Sequence, residues 1–128
     1  MQAQAVVERC FAAVEARDLT ALLACFAADA TYQNVPYPAA VGHDAIGAMF
    51  TRILERSERV EWQVRSAAYV PGRAHVERLD CFWIDGTLYS VPCHCVAEVD
   101  EKAGVITAFR DYVDLGRWRD TIGDALTR

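Results

Sequence analysis

A chain of 128 residues, 53% of them hydrophobic, can bury one sizeable core and reads as a single domain spanning 1–128. Its net charge of −5, with no basic cluster, argues against nucleic-acid binding, and no apolar run is long enough to span a bilayer. Glu8, Arg9, Glu15, Arg17 and Asp18 interrupt any apolar signal core, so a cytoplasmic protein is expected, its five cysteines reduced.

From Gln2 to about Ala16, Val6, Val7, Cys10, Phe11 and Val14 recur at helical spacing, which predicts an amphipathic helix. Asp18 suits the N-cap of a second helix running through Leu22, Leu23, Cys25 and Phe26, ended by the Ala-Ala-Asp-Ala that follows. Thr31 to Val35 reads as a short strand with Tyr32 and Asn34 on one face, and Pro36 and Pro38 then force an irregular loop. Gly42, His43 and Asp44 open a third helix whose buried stripe is Ile46, Met49, Phe50, Ile53 and Leu54.

Beyond Ser57 the pattern turns extended. Val60–Val70, Ala74–Ile84, Thr87–Val99 and Val105 to about Val113 are expected as antiparallel strands. Pro71-Gly72, the hairpin signal Asp85-Gly86 and a charged turn through Glu101 and Lys102 join them. Pro92 suggests a bulge or an edge in the third of these, and the tail from Arg117 to Leu126 suits a short helix resting on Trp118, Ile122 and Leu126. Three helices followed by long strands is an α+β arrangement, in which a curved sheet of five or six strands rolls around three to four helices and leaves a conical pocket.

Three polar fragments interrupt the apolar pattern. Arg78 and Asp80 share one face of their strand with Val76, Phe82 and Ile84, where charges are costly unless they pair or do chemistry. Asp111 is an acid in the inward row expected for the last strand, Val105, Thr107, Phe109, Asp111 and Val113. Tyr32 and Asn34 are the third fragment. Alone, Arg78 and Asp80 read as a structural ion pair, Tyr32 as core and Asn34 as a turn residue before Pro36. Together, two carboxylates flanking one arginine at low dielectric need not titrate together, which supplies an acid and a base in one site. A tyrosine hydroxyl and an asparagine amide beside the base can hold a water for attack.

No histidine backs a nucleophile, and His43, His75 and His94 are read as surface or core. Cys93-His94-Cys95 alternates on a strand, sending both cysteines to one face and the histidine to the other; with no second ligand pair following, no metal is expected.

Tyr32-Gln33-Asn34-Val35-Pro36, Glu77-Arg78-Leu79-Asp80 and Arg110-Asp111-Tyr112-Val113-Asp114-Leu115, in this order, resemble the limonene-1,2-epoxide hydrolase family. Gly42-His43-Asp44-Ala45 resembles the start of that family's third helix. The resemblance implies a cone-shaped fold similar to nuclear transport factor 2 and the ketosteroid isomerases, and a homodimer. It also implies a cofactor-independent epoxide hydrolase, with a small hydrophobic epoxide and water giving a vicinal diol in one step. Asp111 would be the base, Tyr32 and Asn34 the water holders, Asp80 the acid and Arg78 the bridge between the carboxylates. Tyr37, Met49, Phe50, Phe82 and Phe109 are expected to shape the substrate pocket, along with Trp62. The first helix begins almost at Met1, without the longer extension of some family members. An epoxide-opening polyketide-type cyclase or an isomerase on the same fold, or a non-catalytic ligand-binding or dimerisation module, are the competing readings.

Overall fold

The computed structural model describes residues 2–127. Helix α1 (Gln2–Glu15) and the short α2 (Leu19–Ala24) lead into strand β1 (Phe26–Val35). A two-residue strand β2 (Ala40–Val41) and helix α3 (Gly42–Arg56) follow. Four long strands come next: β3 (Arg59–Val70), β4 (Arg73–Ile84), β5 (Thr87–Asp100) and β6 (Val105–Val113). The tail is a broken helix of three pieces, α4 (Leu115–Trp118), a π turn over Arg119–Gly123, and α5 (Asp124–Leu126).

The strands form one open sheet in the order β2-β1-β6-β5-β4-β3. All neighbours are antiparallel except β1 and β6, which run parallel, an arrangement that the long connection through β2, α3 and β3 to β5 permits. Register shifts bend the sheet, at Val64–Ser66 on β3 and where Glu98 and Val99 on β5 meet Ala108 and Ile106 on β6. Helices α1 and α3 close the inner face. Val6, Val7, Cys10, Phe11 and Val14 of α1 and Ile46, Phe50, Ile53 and Leu54 of α3 are all buried, the stripes that helical spacing requires. The β4–β5 hairpin turns at Asp85 and Gly86 with φ of 52° and 78°, the left-handed pair that an Asp-Gly turn supplies at least cost.

Four expectations need correction. The second helix does not reach Phe26: it stops at Ala24, capped at its start by Asp18 Oδ1 accepting from Ala21 N at 3.0 Å. Residues 27–30 do not end a helix but belong to β1, which is ten residues long rather than five. The cause is tertiary, since Phe26 and Ala30 bury against the core and Ile106 N bonds Cys25 O at 2.8 Å, overriding the helical preference of the alanines. Ala40–Val41, taken as loop, is a strand opposite Tyr32 and Thr31.

The inward row of β6 is Ile106, Phe109 and Asp111, with the half-buried Val113 following them into the cavity wall. Val105 is only half-buried and Thr107 is exposed, because the bulge at Thr107 flips the strand's first half while its second half keeps the expected face. Pro92 marks no bulge, since the pairing of β5 with β4 runs through it without a shift, but it does stand at an edge: pairing with β6 begins only at Cys93 opposite Val113, which leaves the other side of Pro92 without a strand partner.

Candidate active site

Alternation on β4 sends Arg78 and Asp80 inward together; both are buried, at 1% and 5% exposure. Arg78 Nε and Nη2 donate to Asp80 Oδ1 and Oδ2, each at 2.8 Å, a planar fork on a planar carboxylate. Nη2 also lies 3.1 Å from Asp111 Oδ1. Asp111 stands two strands away on β6, a span of roughly 9–10 Å at normal strand spacing. The intervening inward positions on β5 are Cys93, opposite Arg78, and Cys95, opposite Asp111. Both are small, so the guanidinium can cross above them.

On the far side, parallel pairing sets Asn34 opposite Asp111 and Tyr32 opposite Phe109. The Tyr32 hydroxyl donates a short hydrogen bond to Asp111 Oδ2. Tyr32 is held there by its ring, stacked on Phe109 at 4.7 Å and edge-on to Phe50 at 5.0 Å. The Arg78 guanidinium lies 3.8 Å from the ring centroid of Trp62, with Phe11 at 5.3 Å and Phe109 at 5.9 Å, so aromatic faces replace water around the buried cation.

This environment separates the charges. Burial raises the Asp80 carboxyl above the usual range, an effect the adjacent Arg78 guanidinium only partly offsets and the Asp111 charge reinforces. Burial, with the Asp111 charge, pushes the Tyr32 hydroxyl well up, so it stays a neutral donor. Arg78 is burdened by desolvation yet held firmly charged by Asp111 and Asp80. Two ionised carboxylates against one cation would leave a net negative charge at low dielectric, and a proton on Asp80 removes it.

The carboxylates open on a cavity of about 230 Å³ between the sheet, α3 and the C-terminal segment. Tyr32, Asn34, Asp80 and Asp111 line it, as do Tyr37, Met49, Phe50, Trp62 and Phe82 from the sequence reading. Tyr37 is 47% exposed, at the mouth. Phe109 is not in the wall: it is fully buried and supports Tyr32 from behind. The Asn34 amide does not reach Asp111 either; its Nδ2 donates to Met49 Sδ at 3.6 Å. Two contributions escaped the sequence reading. Leu115, Trp118 and Leu126 bring the tail into the wall. Cys93 lies in the wall with Sγ at 3.3 Å from both Asp111 Oδ1 and Arg78 Nη2. Strand alternation had turned Cys93 and Cys95 to one face, but which face followed only from register with Arg78.

A family model described as SnoaL-like domain matches residues 7–120. The chain belongs to the SnoaL-like domain family. Among solved structures, this SnoaL-like chain is similar to an LEH-like epoxide hydrolase of M. tuberculosis, with 24% identity and a TM-score of 0.79 over 99% of this chain and 90% of that one. It is also similar to the epoxide hydrolase/cyclase-like enzyme SalBIII of pyran ring formation in the polyether salinomycin (16% identity, TM-score 0.80, 91% and 97% covered). An ntf2-like protein of unknown function from Burkholderia pseudomallei gives 17% identity and a TM-score of 0.82 over 95% and 98%. At these identities the likeness is one of fold: a curved, open, mixed six-stranded sheet around three to four helices, the nuclear transport factor 2-like architecture of the SnoaL-like family.

Proposed function

We propose that this SnoaL-like domain is an epoxide hydrolase acting on a small hydrophobic epoxide. The observation that carries the reading is Arg78 bridging two buried carboxylates of which one, Asp80, is driven toward its protonated form at the floor of a largely apolar cavity. In the proposed step Asp111 takes a proton from a water held beside Tyr32 and Asn34. The water oxygen forms a bond to one epoxide carbon, that carbon's bond to the ring oxygen breaks, and Asp80 delivers its proton to the departing oxygen. A vicinal diol leaves, Asp111 holding a proton and Asp80 lacking one; exchange with solvent resets the pair. No cofactor, metal or covalent ester enters the step. Met49, Phe50, Phe82 and Tyr37 pack the hydrocarbon, with Phe109 backing Tyr32. A homodimer belongs to the same proposal, and sedimentation equilibrium tests it.

Diol formation from a panel of cyclic epoxides, wild type beside Asp111→Asn and Asp80→Asn, tests the reaction. Diol from the wild type with a loss of about 10²–10⁴-fold in each variant supports it. Normal rates in both variants would sink the acid–base scheme. A single turnover in ¹⁸O-water is expected to label the diol and leave the Asp111 peptide unlabelled by mass spectrometry.

One observation favours a second reading, an epoxide-opening cyclase. The Asn34 amide is engaged by Met49 rather than directed at the base, so the water-holding pair is incomplete in this arrangement. A cyclase needs the acid and base but not the held water. It would convert a hydroxy-epoxide to a cyclic ether in preference to a triol, and would tolerate Asn34→Ala.

A further inference from the structure

The proposed reaction has no use for Cys93, yet its thiol is wedged between the bridge and the base. The sulfur is 3.3 Å from Asp111 Oδ1 and 3.3 Å from Arg78 Nη2. An ionised carboxylate only accepts and a guanidinium only donates, so the S–H points to Asp111 and the sulfur lone pair receives Arg78. Oδ1 then accepts from the Cys93 thiol and stands 3.1 Å from Arg78 Nη2, an ionic contact, since the two hydrogens of Nη2 go to Asp80 Oδ2 and Cys93 Sγ; Oδ2 accepts from Tyr32. With the thiol bonded to Oδ1 and the guanidinium packed against it, the oxygen left more open is Oδ2.

We infer that Cys93 is a positioning residue, its thiol filling Oδ1 of Asp111 so that Oδ2, beside Tyr32, is the oxygen that receives the proton from water. The inference rests on the epoxide-hydrolase reading of the same site. Burial, together with the Asp111 charge, pushes the Cys93 thiol far up, so it remains a proton donor and does not compete as a nucleophile. The groups facing Asp111 are Tyr32 from β1, Arg78 and Asp80 from β4, and Cys93 and Cys95 from β5. From the helices, Val14, Met49 and Phe50 bring no charge to the cavity, and Arg52 is the one charged helix residue in its lining. Removing the thiol therefore removes one of the two hydrogen-bond donors to the base and leaves the Arg78 charge and the other charges in place.

The experiment compares Cys93→Ala, Cys93→Val and Cys93→Ser with wild type, by diol formation against pH and by ¹³C NMR titration of the Asp111 carboxyl, assigned by its loss in Asp111→Asn. Circular dichroism checks the fold of each. Ala and Val are expected to lose about tenfold in kcat, with the acid limb of kcat/KM moved to higher pH by about half a unit, because an ionised carboxylate has lost a donor. Ser, a hydroxyl donor of similar size, is expected to recover to within about threefold and to restore the limb. Folded Ala and Val variants with wild-type rates and an unmoved limb overturn the inference while the hydrolase stands. If the wild type makes no diol, the hydrolase reading falls and the NMR titration decides for Cys93. A midpoint raised in Ala and restored in Ser upholds its hold on Asp111, and coincident curves overturn it.

Discussion

Arg78 is the residue on which the site's electrostatics turn. It is a fully buried cation answered by two carboxylates, a phenol hydrogen-bonded to one of them, and three aromatic faces. Arg78→Met strips the cation from two buried acids and is expected to cost about 3–5 kcal/mol at neutral pH, measured by urea unfolding. Asp80 behaves in the opposite sense. Its folded-state pKa is raised, so its contribution favours the fold fully below about pH 4 and is lost as pH rises through the raised value. Between about pH 4 and 8 the melting temperature of Asp80→Asn should therefore fall less than that of the wild type. The same ionisation should set the alkaline limb of kcat/KM, above the usual carboxylate range, since Asp80 must hold a proton to act as the acid. Tyr32, Arg78, Asp80 and Asp111 were legible in the sequence because each is a polar side chain at an apolar position. Cys93 was not, because a buried cysteine looks like a small hydrophobe until its neighbours are known.

At the scale of elements, the C-terminal segment decides the shape of the cavity. Asp114 caps α4 by accepting from Arg117 N at 3.1 Å, and Arg117 Nε in turn donates to Ser90 O on β5 at 3.2 Å. Two arginines of α3 hold the other end: Arg52 Nη2 and Arg56 Nη1 donate to Leu126 O at 3.3 and 3.1 Å, and Arg56 Nη2 to Ala125 O at 3.2 Å. Cations on the last carbonyls of a helix satisfy groups that have no partner within it. Trp118 then stands edge-on to Phe82, ring centres 6.1 Å apart, and closes the wall. Arg56→Ala should loosen this wall without touching the carboxylates. Hydrogen exchange over 115–126 is expected to quicken, stability to drop by about 1 kcal/mol, and KM to rise with kcat little changed. Helical spacing around Trp118, Ile122 and Leu126 predicted a helix here; the α3 arginines that anchor it act across 69 to 74 positions of sequence, beyond the reach of any local pattern.

For the whole molecule, one sheet carries every described strand and the two longer helices pack on its inner face, so Asp111, Arg78 and Asp80 are fastened to the same core as the fold. That core runs from Val6 through Phe109 to Ile122 without a break. Unfolding in urea is accordingly expected to show a single transition, coincident by circular dichroism and by tryptophan fluorescence, with Trp62 and Trp118 reporting from the cavity wall. Two separate transitions would divide the chain where a single domain is expected. Among the described residues no helix is long and apolar enough to cross a membrane.

The sequence alone determined what period-2 and period-3.6 patterns can carry: the helical stripes of α1 and α3, the alternation that turns Arg78 and Asp80 inward together, and the Asp85-Gly86 hairpin. These are local consequences of backbone geometry, and local information suffices for them. Tertiary structure decided what depends on pairing. It drew residues 26–30 out of a helix and into β1, placed the bulge at Thr107 that exposes one half of β6 while keeping Asp111 inside, and set Phe109 behind Tyr32 instead of in the wall. It also laid Arg78 across two small cysteines to reach Asp111, a contact fixed by register between strands that no run of residues encodes by itself.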